Sequence, residues 1–146
     1  MHQSSKLKSV LLIDDNGADN YVHRLHLEST GLIDSIHEFL YADEAIDFLK
    51  SHLDQDIDLI FLDLELPRMN GIEFLEAYRS LSINKRAKIV ILATHPSPHI
   101  LAQLEQFPEV LTRCVKPLTE AGAEDIIGAV LESNQNSERI ASALIS

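Results

Sequence analysis

Leu59-Ile60-Phe61-Leu62-Asp63 is the stretch on which the fold turns. Four apolar residues in a row, with no polar alternation, describe a strand buried on both faces, which is the habit of parallel sheets. The run stops at a carboxylate. Leu66-Pro67-Arg68-Met69-Asn70-Gly71 then reads as a loop, and Ile72, Phe74, Leu75 and Tyr78 recur at helical spacing. The same strand-then-helix unit repeats in both directions along the chain. Upstream, Ser9 to Ile13 is a β-branched strand stopped by Asp14-Asp15, and Asn16-Gly17 turns into a helix. That helix carries Tyr21, Val22, Leu25 and Leu27 at helical spacing, the inward side of such a pattern, and Gly31 suits its C′ position. Ser35 to Leu40 is shorter and more alternating, as an edge strand should be. Asp43 to Leu53 is helical, with Ala45, Ile46, Phe48 and Leu49 inward.

Downstream, Ile89 to Leu92 is a fourth strand, and Pro96 and Pro98 interrupt the chain before a helix over Ile100 to Phe107. Val110 to Val115 is a fifth strand closed by Lys116-Pro117, and Thr119 to Leu131 is the last helix. Ser133 to Ser137 reads as a polar linker to a tail, in which Ile140, Ala143 and Leu144 share one side of a short helix. Five strands alternating with five helices imply an α/β fold, a parallel sheet with helices on both faces.

The chain has 146 residues, 45% hydrophobic and 24% charged, which suits one domain with a proper core. Twelve basic residues against 23 acidic ones give a formal charge of −11. That excess disfavours nucleic-acid binding, which needs Lys and Arg to replace counterions, and equally an anionic membrane surface. Cys114 is the one cysteine, so an internal disulfide and a multi-cysteine zinc site are excluded. The polar start and the short first apolar run exclude a signal peptide. The expected setting is the cytoplasm.

Ligands of open α/β sheets bind outside the carboxyl ends of the strands. Those ends here carry Asp14-Asp15, Asp63, Ala93-Thr94 and Lys116. Three carboxylates in one crevice repel one another and raise each other's pKa unless a cation intervenes. Mg²⁺ suits such an oxygen set. A carboxylate beside Mg²⁺ and a lysine is also equipped to attack phosphorus, forming an aspartyl phosphate. Taken singly each residue has a plainer reading: Asp14 or Asp15 caps a helix, Asp63 opens a loop, Lys116 is solvated. Jointly, four such residues at predicted strand ends favour the chemical reading.

The sequence resembles the receiver domains of two-component response regulators, of the stand-alone chemotaxis type. The pieces that carry the resemblance are Leu12-Ile13-Asp14-Asp15-Asn16, Leu59 to Gly71, and Val115-Lys116-Pro117-Leu118-Thr119. It implies a flavodoxin-like doubly wound (βα)5 domain over residues 8–132, strand order 2-1-3-4-5, with 133–146 as a C-terminal tail. It also implies a phosphoacceptor at Asp63, fed by a histidine kinase or a phosphotransfer protein. Asp15, Asp63 and the Glu65 backbone carbonyl would hold Mg²⁺, with Asp14 acting through water. Lys116 would pair with the acyl phosphate, and the bond to Pro117 would be cis. Output would pass by contact with a downstream protein target or by handing the phosphate on, with a second copy of the chain as a further candidate partner. No DNA-binding domain is expected, and no enzymatic activity beyond self-catalysed phosphoryl transfer to and hydrolysis from Asp63.

Two positions depart from the family pattern. Ala93 stands where a Ser or Thr hydroxyl would bind the phosphoryl group, leaving Thr94, one residue late, as its substitute. Arg113 stands where the family favours an aromatic switch residue. A degenerate receiver, acting as a phosphorylation-independent interaction module, is therefore the alternative. A dehalogenase-like phosphatase would need a second Asp two residues after the first, where Asn16 or Gly17 stands. A flavin phosphate would be repelled by Asp14-Asp15. His23 with His26 lacks a second ligand pair for a metal, and the prolines keep His95 and His99 off a common helix face. Cys114 reads as a small core residue, and Lys85-Arg86 with Lys88 as a solvated loop.

Overall fold

The computed structural model of the chain describes residues 6–83 and 85–145, with side chains as far as residue 136. Strands and helices alternate throughout: β1 Leu7–Ile13, α1 Gly17–Ser29, β2 Ile33–Phe39, α2 Ala42–Ser51, β3 Ile57–Asp63, α3 Gly71–Arg79, β4 Lys88–Leu92, α4 Pro98–Leu104, β5 Val110–Cys114 and α5 Glu120–Ile145. All neighbouring strands pair in parallel, in the order β2-β1-β3-β4-β5. This is the flavodoxin-like order, with β3 in the middle and β2 and β5 as edges.

The apolar strands fill both sides of the sheet by simple alternation. Leu11, Ile13, Ile60, Leu62, Ile89 and Ile91 meet α2, α3 and α4 on one face. Val10, Leu12, Leu59, Phe61, Val90 and Leu92 meet α1 and α5 on the other. Every residue of β3 is buried, as an unbroken apolar run demands.

The helix ends follow local chemistry. Asn16 and Asn70 cap α1 and α3 by accepting from the backbone N–H three residues on, and Asn70 forms a full capping box with Glu73. Gly31, at φ +69°, closes α1 in the left-handed conformation expected of a C′ glycine. Ser97 caps α4 and Pro98 opens it, so the helix begins earlier than the prolines suggested.

Three expectations are corrected. Tyr21, Val22 and Leu25 are exposed, and α1 buries Asn20, His23 and Leu27 instead. Asn20 is held inward by its amide: Nδ2 donates to the carbonyls of Asp14 at 3.0 Å and Phe39 at 3.4 Å. Secondly, α5 continues through Ser133 to Ser137 with no break. No Gly or Pro stands there to stop it, and Asn134 reaches Asp58 at 3.4 Å. The side chains of Ile140, Ala143 and Leu144 lie outside the described residues. Thirdly, the basic cluster is engaged rather than freely solvated. Lys85 pairs with buried Asp58 at 3.1 Å, and Arg86 lies over the Tyr78 ring while bonding carbonyls at the end of α3. Cys114 is half-buried against the α1/α5 core, with a free thiol.

Gly71 sits where the chain leaves the strand-end loop for α3, its N–H bonded to the Leu64 carbonyl at 2.9 Å. A Cβ there would lie 2.8 Å from Leu64 Cα and 3.0 Å from the Asp63 carbonyl oxygen. Gly71→Ala should therefore cost about 1–3 kcal/mol through overpacking of backbone on backbone, read as a lower thermal midpoint.

Candidate functional site

The parallel register brings the strand ends level. Ile13 of β1 lies beside Leu62 of β3, and Asp63 beside Leu92 of β4, which in turn pairs with Cys114 of β5. The next residues along β1 and β5 therefore open on the same crevice as Asp63. Asp14 is held in place from both sides: its N–H donates to the Phe39 carbonyl at 3.0 Å, and its Oδ1 accepts from the Asn16 N–H at 2.9 Å. Carboxylate oxygens of Asp14, Asp15 and Asp63 all lie within 4.8 Å of one another. Among the described residues this is the only group of three or more His, Cys, Asp or Glu side chains so arranged. Asp14 and Asp63 are buried and Asp15 is exposed.

Lys116 closes the crevice from β5. Its ammonium lies 2.6 Å from Asp14 Oδ2, 3.2 Å from Asp19 Oδ2 and 3.3 Å from Asp63 Oδ2. Burial alone would lower the Lys116 pKa, but its ion pairs, with Asp14 foremost, hold it above the usual value. The Asp63 pKa is raised as well, but here burial is the cause rather than the opposing effect. Burial raises its pKa most, and Asp14 adds to the rise, while Lys116 and the Glu65 N–H at 3.2 Å oppose it. The ionised Asp63 is thus poorly solvated and only partly compensated, the condition of a carboxylate ready to share its charge with a cation or an electrophile. The Lys116–Pro117 peptide is cis.

An open cavity of about 770 Å³ extends from Asp63 and Lys116 toward α3 and α4. Ala93 and Thr94 both line it, Ala93 half-buried and Thr94 exposed. His95 lines it too, from the loop before α4, whereas His99 belongs to α4 itself. Arg113 lies elsewhere, exposed on β5 along the outer side of α4. The two α1 histidines have internal roles. His23 is buried, which lowers its pKa, and His26 Nδ1 lies 2.6 Å from the Leu118 carbonyl.

Asp19 is the site residue that reading the strand ends missed, because it lies on α1. Its signal was present nonetheless. Asp19 is three residues past the cap Asn16, in the first turn of a helix whose start abuts Asp14-Asp15.

Residues 10–120 match the family model of the response regulator receiver domain. The chain belongs to that family. Receiver domains are signalling modules of two-component systems. The chain is 34% identical over 129 residues to the two-component response regulator ORR1 of rice (Oryza sativa subsp. japonica), a match covering 85% of this chain and 50% of that protein. It thus spans about half the length of that relative. Solved receivers share the fold. A two-component response regulator from Cytophaga hutchinsonii superposes with TM-score 0.78 at 24% identity, covering 87% of this chain and 98% of that one. The Mg²⁺-complexed receiver domain of the histidine kinase CKI1 from Arabidopsis thaliana gives 0.70 at 21%, covering 88% and 96%. Among the described residues of this receiver no helix is long and apolar enough to cross a membrane.

Proposed function

We propose that this receiver accepts a phosphoryl group on Asp63 with Mg²⁺ as a step in two-component signalling. The observation that carries the reading is the meeting of Asp14, Asp15, Asp63 and Lys116 at one strand-end crevice, with a buried, imperfectly compensated Asp63 at its centre. In the proposed step an Asp63 carboxylate oxygen forms a bond to phosphorus. The P–N bond of a phosphohistidine on a histidine kinase or phosphotransfer protein breaks, its electron pair returning to the imidazole nitrogen. Lys116 pairs with a phosphoryl oxygen as charge accumulates there. Asp14, Asp15, Asp63 and the Glu65 backbone carbonyl would hold Mg²⁺, which when bound neutralises phosphoryl charge. Beyond this transfer and the later hydrolysis of the Asp63 acyl phosphate, in which water takes the phosphoryl group and inorganic phosphate leaves, no enzymatic activity is assigned. The setting is cytoplasmic, residues 8–132 are the receiver and 133–146 its C-terminal extension, and output passes by contact with a protein target.

The test is intact mass after incubation with acetyl phosphate and Mg²⁺. Gain of one phosphoryl group per chain is expected. No gain would favour the second reading, a phosphorylation-independent interaction module, for which Ala93 in the cavity wall is the specific argument. It lacks the hydroxyl that would donate to a phosphoryl oxygen, a bond worth about 1.5–3 kcal/mol.

Mg²⁺ should also raise the melting temperature of the unphosphorylated chain, since a ligand selective for the native state stabilises it. Asp15→Ala should remove most of that gain; an undiminished gain would displace the metal from this site. The gain has a pH dependence. Because the folded pKa of Asp63 is raised, the folded state binds its proton more tightly than the unfolded chain, so stability falls as pH rises from the ordinary value of 3.8 through the folded one. The Mg²⁺ gain should therefore be largest above that window and shrink on acidification through it.

A further inference from the structure

An ammonium has three N–H donors. That of Lys116 donates to Asp19 and Asp63 and lies at ion-pair distance from Asp14 in the resting protein, and one of these three, Asp19, stands outside the cluster suited to a metal. Asp14 is almost wholly buried, its side chain 1% exposed, so it cannot exchange the lysine for water without desolvation cost. The Asp19 side chain is 40% exposed and can. Asp14, Asp19 and Asp63 thus share one lysine, with Asp15 beside them at the crevice, and a phosphoryl group arriving on Asp63 would add further negative charge. For Lys116 to turn toward it, the contact released at least cost is the one to Asp19. The charge of Asp19 also opposes an incoming anion.

We propose that Asp19 is a positioning residue that holds Lys116 in the resting state and so sets how readily Asp63 accepts an anionic phosphoryl group. The proposal rests on the phosphoacceptor reading above. Asp19 acts through Lys116. Its backbone N–H, which caps against Asn16 Oδ1 at 3.1 Å, is unaffected by a change of side chain. Asp19→Asn therefore removes the charge while keeping size and cap.

The experiment measures beryllofluoride binding and the rate of phosphate uptake from acetyl phosphate, both with Mg²⁺. The proteins are wild type, Asp19→Asn, Asp19→Glu, Lys116→Ala and the Asp19→Asn/Lys116→Ala double variant. Asp19→Asn should bind beryllofluoride and take up phosphate about three- to tenfold more readily than wild type, the scale of one unit charge a few ångströms away with water-like screening, as the exposure of Asp19 allows. Asp19→Glu, which restores the charge, should stay near wild type. In the Lys116→Ala background the gain should fall below about twofold, because the effect runs through the lysine. Where uptake by that background is too slow to rank, the thermal stabilities of the four proteins of the cycle give the coupling instead, and non-additive midpoints are expected. An Asp19→Asn chain no better than wild type, an equal gain without the lysine, or additive midpoints would overturn the proposal. A wild type that takes up neither beryllofluoride nor phosphate would overturn the phosphoacceptor reading itself, and this inference with it.

Discussion

Asp63→Asn is expected to take up no phosphate from acetyl phosphate and Mg²⁺, under conditions in which the wild-type chain gains one phosphoryl group. The amide keeps the shape of the carboxylate at the end of β3 but removes the nucleophilic oxygen and one charge. Asp14 and Asp15 are poor substitutes. Asp14 is pinned by the Asn16 N–H and faces Lys116 at 2.6 Å, while Asp15 is exposed at the rim. The same variant should be more stable than wild type in the absence of Mg²⁺, because burial and Asp14 both disfavour a charged Asp63. Labelling of Asp63→Asn to the wild-type level would move the acceptor elsewhere.

Lys116→Ala should be the most destabilising single change in the crevice. Removing one partner of a fully buried charge pair costs about 3–5 kcal/mol. The Lys116 side chain is 19% exposed, so the expected loss is smaller, about 2–3 kcal/mol, or a midpoint lower by several degrees for a chain of this length. Mg²⁺ should recover part of the loss, since a divalent ion offsets the same carboxylates, and it should recover more in this variant than it adds to wild type. Thermal melts of both proteins with and without Mg²⁺ check this. A loss untouched by Mg²⁺ would mean that the lysine stabilises the chain by packing alone. Phosphate uptake by Lys116→Ala should be slowed along with the stability loss.

β1 and β3 were the most legible strands because their apolar runs are buried on both faces and end abruptly at carboxylates. Asp14-Asp15, Asp63 and Lys116 were legible for the same reason, standing where β1, β3 and the chain after β5 stop. The strand order came from the family resemblance rather than from periodicity, which fixes faces but not neighbours. The inward face of α1 was misread because Tyr21, Val22 and Leu25 repeat at helical spacing, whereas Asn20 turns inward, where its amide needs acceptors and finds two carbonyls. No apolar pattern encodes that demand. Asp19 was missed on similar grounds: its importance comes from an ion pair 97 positions along the chain. The length of α5 was misread because a run of Ser, Asn and Gln weakens a helix without ending it, and its anchor, Asp58 of β3, lies 76 positions away in the sequence.

The burial of β3 has a consequence for how the domain responds. Amide hydrogens between Ile57 and Asp63, bonded to β1 and β4 and shielded along the whole strand, should exchange with solvent only on global opening. In α4, a seven-residue helix with Leu104 as its one buried residue, exchange should proceed through local opening. Asp63 is thus mounted on the stiffest element of the domain, while the opposite wall of its cavity hangs from one of the loosest. On the proposed phosphoacceptor reading, Asp63 stays where it is, and the rearrangement that follows a new group on it has its lowest free-energy route through the segment from Ala93 to Leu104.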